Sequence, residues 1–345
     1  MNSTRFVGLD VHAATIAVAV AEPDGAVRGL GIIPNEPDAV RRLVKRRGPA
    51  ARLRACYAAG PCGYTLYWQL TELGVDCHVV APTLVPVKAG DRVKTDRRAA
   101  ARLARSFRSG DLTPVWVPDP AHEALRDLAR AREAAKKDER RARHRLQKFL
   151  LRPGHRPPAG IRAWTERHRQ WVAAGPFEYP AQEATRLDYV TEVAHAADRI
   201  ARLERALDEV VATAPAAVRA VISALQALRR IATLSAVTIV AEVGRLSRCA
   251  RPSRRMGDSG AVASEHSSGA RIRRGGITKT GNAHLRRIVV EAAGAYRHPP
   301  AIGATLRRRQ APLSEPVRRS PGRRSTGCIS GTGGGWAEGR PRSRW

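Results

Sequence analysis

The chain has 345 residues, enough for two domains that each bury a core, and 61 Lys and Arg against 31 Asp and Glu give it a formal net charge of +30. An excess of that size points to phosphate partners, because each cation set on a nucleic-acid backbone releases condensed counterions. The blander alternatives are a ribosome-like binding protein or a solvated basic surface. Five cysteines without a CxxC pair argue against a disulfide framework and against a zinc ribbon.

The first residues run straight into a strand pattern without the apolar core of a signal peptide. No apolar run reaches the roughly 18 residues of a membrane span. The expectation is a cytoplasmic protein with no membrane partner.

In chain order, FVGLD at 6–10 reads as a short buried strand, TIAVAVA at 15–21 as a second, and 26–33 as a third after the Pro23-Asp24-Gly25 turn. A helix is predicted over about 36–47, a strand over 52–57, a helix over 64–73 and a strand over 76–80. Another helix follows over about 96–107, and 114–117 closes the segment. Three hairpin-like strands followed by alternating helices and strands suggest an α/β sheet of mixed pairing. That order fits a ribonuclease-H-like domain, and periodicity alone also allows other α/β folds.

From 120 to 151 the pattern is helical and charged, ended by Pro153, Pro157 and Pro158. Trp164 and Trp171 lie in a short helical insert. A second long helix is predicted over about 183–212. Its apolar residues Tyr189, Val193, Ala196, Ile200, Leu203, Leu207 and Val210 alternate in steps of four and three, a heptad seam for a helical hairpin or a dimerising coiled coil. After Pro215 a compact helical domain runs to about Tyr296, with apolar helices over 228–242 and 285–292 and a polar Ser/Gly/Arg stretch between them. Gly257 and Asp258 weaken any helix in that stretch. Beyond 309 the composition turns to Gly, Pro, Ser and Arg without periodicity, and disorder is expected.

Three places carry possible chemistry. Asp10 ends the first strand, where a carboxylate on a rigid edge could hold Mg²⁺ or simply close a turn. Asp96 lies at a helix start in VKTDRR, where it could cap the helix or face Asp10, with Lys94, Arg97 and Arg98 beside it. An acid one turn later would share its face, and that position is Ala99.

The third place is SEHSSG at 264–269, followed by Arg271, Arg273 and Arg274, then GGITKTGN with Lys279 and Asn282, and a helix carrying Arg286 and Arg287. Paired glycines, cations and a helix start suit a phosphate grip, and a serine there could attack phosphorus if activated. His266 beside these serines is no evidence of a Ser-His pair, and it reads as a surface or phosphate-contact residue.

Several of these segments together resemble the insertion sequence 110 family of transposases. GLDVHAATIAVAV (8–20), AGPCGYTLYWQL (59–70), VKTDRR (93–98) and LTPVWVPDPAHEALRDLARAR (112–132) are similar to its N-terminal domain. SEHSSG (264–269) and RRGGITKTGNAHLRRIVVEAAGAYRHPP (273–300) are similar to its C-terminal domain, and the likeness runs in the family's order to about residue 310.

The resemblance implies four segments. A RuvC-like, ribonuclease-H-fold domain at 1–118 carries a DEDD set of acids for Mg²⁺. A coiled-coil linker spans 119–214, a helical serine-transposase domain 215–309 and a tail 310–345. It further implies DNA ends and target as substrates, a structured guide RNA, a homo-oligomer, Asp10 and Asp96 as first and third acids, and Ser268 (or Ser267) as the nucleophile.

Departures from the family pattern accompany the likeness. The acid expected before AGP is Ala58, and the one expected after KTDRR is Ala99. With two of four ligands missing, the expectation is an impaired or inactive enzyme. The alternatives are a DNA- or RNA-binding remnant and a RuvC-type nuclease. The tail after Arg319, SPGRRSTGCISGTGGGW, departs so abruptly that a frameshift in the coding sequence is expected.

Overall fold

The computed structural model describes residues 4–22, 24–87, 90, 93–175, 177–246, 252–299 and 302–315, with the backbone path alone for 252–255. The expected tail and its frameshift lie almost wholly outside the described residues. The chain divides into two compact units, one up to Pro118 and one from Asp119.

The N-terminal unit is a five-stranded sheet of mixed pairing with helices on both faces. Its strands are β1 (Arg5–Val11), β2 (Thr15–Ala21), β3 (Val27–Pro34), β4 (Leu53–Ala58) and β5 (Asp76–Val80), in the order β3-β2-β1-β4-β5. β1, β2 and β3 pair antiparallel, and β4 and β5 join parallel. This arrangement fits a ribonuclease-H-like DEDD domain. The closing segment at 114–117 forms no strand of its own; Pro114 makes an isolated bridge to Val80.

Strand alternation sorts the two faces. Ile16, Val18 and Val20 of β2 join Val7, Leu9 and Tyr57 in a core with α1 (Pro37–Arg47) and α2 (Thr65–Glu72). The opposite face carries Ala17, Ala19 and Ala21, which pack on Ala100 and Ala104 of α3 (Asp96–Ser109). Small side chains on both surfaces let helix and sheet approach closely. Gly8 of β1 is the limit of that approach, because a Cβ there would stand 2.2 Å from the Ala100 carbonyl oxygen and 2.4 Å from the Ala104 nitrogen.

The C-terminal unit is mostly helical. The helices α4 (Pro120–Leu151) and α6 (Pro180–Thr213) pack antiparallel along most of their length, tied by Arg132–Glu204 and by Asp138–Arg199 at 3.0 Å. The heptad seam of α6 is half-buried or buried as far as Leu207, whereas Val210 is 40 % exposed. Near the turn between them, α5 (Glu166–Ala174) packs Val172 with Leu146, Phe149 and Leu150.

A second core joins α4 to α7 (Ala216–Gln226), α8 (Thr233–Val243) and α10 (Ala283–Ala293). The single apolar helix expected over 228–242 is shorter, because α7 ends at Gln226 and α8 begins only at Thr233. Arg230, with φ of 62°, lies in the turn between them. The polar stretch that follows holds α9 (Pro252–Ser259) and a hairpin of β6 (Ala263–Glu265) and β7 (Arg274–Ile277). α9 runs through Gly257 and Asp258 despite their weak propensity, since its end is held by tertiary bonds: the Asn282 N–H donates to the Asp258 carbonyl at 2.7 Å. A last helix, α11 (Ala304–Gln310), is short.

Candidate active site

Phe6, Gly8 and Asp10 alternate toward α3, so the close helix–sheet joint carries Asp10 toward the start of that helix. Asp96 occupies the first helical position. The cap itself is Thr95, whose hydroxyl accepts the Arg98 N–H at 3.3 Å, so the Asp96 carboxylate is not consumed as a cap. His12, two residues beyond Asp10, stands beside both acids. Its Nε2 lies 3.8 Å from Asp10 Oδ2 and 3.5 Å from Asp96 Oδ1. One ligand atom from each of the three falls within 4.8 Å of the others.

Burial pushes the Asp10 carboxyl above its ordinary value; His12 opposes that rise and Asp96 adds to it. Two carboxylates held together, one half-withdrawn from water, form a pair that a divalent cation would relieve. The donor set of two carboxylate oxygens and an imidazole nitrogen therefore fits a divalent metal ion.

Ala58 and Ala99 adjoin these groups. Ala58 follows Tyr57, the partner of Leu9, so Asp10 and Ala58 take the next positions on adjacent parallel strands. Cys56 packs on the α3 side of β4, and alternation places Ala58 on that same side. Ala99 lies one turn after Asp96, and its N–H donates to Thr95 at 2.8 Å. Lys94, Arg97 and Arg98 are exposed around the helix start, with Arg98 Nη1 donating to the Val93 carbonyl at 3.4 Å.

In the C-terminal unit, Ser268 sits at the tip of the β6–β7 hairpin. Its backbone exchanges two 3.1 Å bonds with Arg271 across a tight turn, where Gly269 adopts φ of 56°. The side chain is exposed, and its hydroxyl makes no hydrogen bond among the described residues. Ser267 is engaged: it donates to Glu265 Oε1 at 2.7 Å and accepts the Arg273 N–H at 3.1 Å. The Ser267 hydroxyl, with Arg274 Nε at 3.2 Å, holds the Glu265 carboxyl below its ordinary value. Sequence reading missed both this bond and His12. The only local signal for either was a separation of two positions from an acid at a strand end, and both His12 and Ser267 lie just beyond their strands.

The remaining basic candidates divide. Arg271, Arg273, Arg274 and Lys279 are exposed. Asn282, Arg286 and Arg287 are bound into the fold. The Asn282 side chain accepts the N–H groups of His284 and Leu285 as the cap of α10, and it donates to Glu242 Oε2 at 2.6 Å. Arg286 Nη1 donates to the carbonyls of Ser259 and Lys279. Arg287 pairs with Glu291 and with Glu133 at 3.1 Å. Among the described residues no helix is long and apolar enough to cross a membrane.

Comparison with known proteins agrees along most of the chain. Residues 7–153 match a DEDD model described as a transposase, and residues 222–306 match one described as the transposase IS116/IS110/IS902 family. The chain is 40 % identical over 316 residues to "Putative transposase y4qE" of Sinorhizobium fredii, covering 91 % of this chain and 77 % of that protein. It is 31 % identical over 218 residues to the transposase for insertion sequence element IS1533 of Leptospira borgpetersenii, covering 62 % of this chain and 63 % of that protein. With both halves matched in order and a relative of this identity covered over three quarters of its length, the chain belongs to the IS110 family of transposases.

Proposed function

We propose that the chain is built for serine-mediated, metal-assisted cleavage and exchange of DNA strands, and that Ala58 and Ala99 leave it impaired. The observation that supports this most directly is the meeting of Asp10 and Asp96 above the sheet, in a member of a transposase family. The carboxylates of Asp10 and Asp96 would hold a divalent cation, Mg²⁺ by resemblance to the family. When bound, such an ion polarises a phosphate oxygen and stabilises the charge that develops on it.

The Ser268 hydroxyl attacks phosphorus. The Oγ–P bond forms as the bond to the departing sugar oxygen breaks, and the hydroxyl proton passes through solvent to that oxygen. Attack by another strand's hydroxyl reverses the step and frees the serine. Arg271, Arg273 and Lys279 would grip the backbone from exposed positions, as would Lys94, Arg97 and Arg98 in the N-terminal unit. The family resemblance adds a structured guide RNA and a homo-oligomer, with the α4–α6 pair read as a coiled coil. It also supports the four-segment division at 118, 214 and 309.

A second reading makes Ser267 the nucleophile. The observation in its favour is Glu265, a carboxylate 2.7 Å from that hydroxyl and placed to take its proton.

The test is a divalent-cation-dependent cleavage and exchange assay on the element's own DNA ends with its guide RNA. The parent chain is compared with the Ala58→Glu/Ala99→Asp double variant. The expected result is a covalent protein–DNA adduct only in the restored protein, mapped by peptide sequencing to Ser268 and lost in Ser268→Ala. An adduct on Ser267 establishes the second reading. An adduct in the parent chain refutes the impairment, and no adduct in either leaves a nucleic-acid-binding remnant. Cleavage that survives Ser268→Ala and Ser267→Ala together indicates a RuvC-type nuclease.

A further inference from the structure

His12 is fixed in place by its backbone. Its N–H donates to the Thr15 carbonyl at 2.8 Å across the β1–β2 turn, and its carbonyl accepts Asn35 Nδ2 at 2.8 Å from the end of β3. Asn35 is held in turn, because its own N–H donates to the Ala14 carbonyl at 2.9 Å. The turn is thus clamped from two strands, and the imidazole projects between Asp10 and Asp96.

The ring's distances to those acids are informative. At 3.8 and 3.5 Å they are too long for good hydrogen bonds, so Nε2 is not spent on either carboxylate. They are close to the spacing of neighbouring ligands on one ion. Two donors each ~2.1 Å from a common metal stand about 3.0 Å apart at a right angle and about 3.4 Å apart at the tetrahedral angle. A small rotamer adjustment closes the difference.

We propose that His12 is the third protein ligand of the cation site, and that this chain therefore takes a later first-row transition-metal dication such as Co²⁺ in preference to Mg²⁺. The proposal rests on the reading of Asp10 and Asp96 as cation ligands. Mg²⁺ demands oxygen donors in near-ideal octahedral geometry, whereas imidazole suits later, softer ions. With alanine at 58 and 99, one of the three side-chain donors is nitrogen. The oxygen-rich shell that favours Mg²⁺ is the part this chain lacks.

The experiment uses the full chain. Co²⁺ is titrated by its visible absorption and Mg²⁺ by competition against it, and bound Mn²⁺ is examined by pulsed electron paramagnetic resonance for nitrogen coupling. The expected result is a preference for Co²⁺ over Mg²⁺ of about tenfold or more, with nitrogen coupling to Mn²⁺. His12→Ala, at a half-exposed position outside the core, should cut Co²⁺ affinity about tenfold, abolish the coupling and leave Mg²⁺ affinity within about twofold. Ala58→Glu/Ala99→Asp should raise Mg²⁺ affinity and narrow the preference. Co²⁺ affinity unchanged in His12→Ala, or coupling that persists there, overturns the proposal alone. Failure of the parent to bind any dication, or binding unaffected by Asp10→Asn, overturns the cation reading of Asp10 and Asp96 together with it.

Discussion

The N-terminal unit brings Asp10 to Asp96 by letting two backbones touch. Gly8 and a row of alanines let the first half of α3 sit directly on β1 and β2, while larger side chains such as Phe6, Leu103 and Phe107 fill the joint farther along the helix. The C-terminal unit places its candidate residues by polar bonds instead. Glu242 is fully buried and receives both Arg130 nitrogens at 2.8 and 2.9 Å and the Asn282 amide at 2.6 Å, so a core carboxylate fixes the cap of α10. Ala58 on β4 and Ala99 on α3 stand beside the N-terminal joint without disturbing it. Residues tied in by polar bonds cannot be exchanged so freely: Asn282 holds Glu242, Arg286 holds the carbonyls of Ser259 and Lys279, and Arg287 holds Glu133.

The largest effect expected from breaking this comparison is at Gly8. Gly8→Ala forces a methyl against the α3 backbone, which cannot swing aside as a flexible side chain would. Overpacking of this kind should cost roughly 3 kcal/mol or more, read as a lower denaturation midpoint. The helix must also lift, so dication affinity should fall even though no ligand has changed. A variant that unfolds early yet binds the cation as before would show that the joint does not set the site.

Next in size is Glu242→Gln. Burial pushes the Glu242 carboxyl upward, but the hydrogen bonds from Arg130 and Asn282 and the nearby Arg126 outweigh it and hold the group below its ordinary value. Gln supplies one acceptor oxygen where the carboxylate supplies two, and its amide opposes a donor. The expected loss is about 2–3 kcal/mol, near the low end for a broken buried pair because Arg130 is 42 % exposed and can recover water. Hydrogen exchange should show α10 and the 278–282 loop loosening together. Cation binding by the N-terminal unit should be unchanged.

Much of this was legible in the sequence where side chains repeat with a period. The alternation of TIAVAVA fixes which face of β2 is small and which is bulky, and Asp10 and Asp96 are marked by their place at element ends. The failures have physical reasons. The β6–β7 hairpin has exposed strands, including RGGI, so no apolar alternation announces it. α9 survives Gly257 and Asp258 through bonds from residues more than twenty positions away. His12 reads as an ordinary turn residue until the fold brings Asp96 beside it, a contact between positions 84 apart that no local pattern encodes.

The smallest expected effect comes from acid. Glu133 on α4 takes bonds from His284 Nδ1 and Lys137 Nζ, both at 2.7 Å, and from Arg287 at 3.1 Å. Burial raises its carboxyl, and these bonds more than reverse that, bringing it from the ordinary 4.5 to about 2. A folded-state value below the unfolded one means that the stabilisation is complete above pH 4.5 and is lost as pH falls toward 2. The term is on the order of 1–2 kcal/mol, since Lys137 and Arg287 are partly exposed and screened. Glu133→Gln should therefore lower stability at pH 7 and flatten the acid limb of the C-terminal unit between those values. The N-terminal unit offers a contrast at the Asp10 site, because a carboxyl whose value is raised on folding destabilises the ionised protein and is relieved by protonation. Asp10→Asn should accordingly leave the sheet as stable as the parent or more so at neutral pH. A marked loss of stability in Asp10→Asn would mean that this carboxylate, like Glu242, supports the fold, and the contrast between the two units would fail at its central residue.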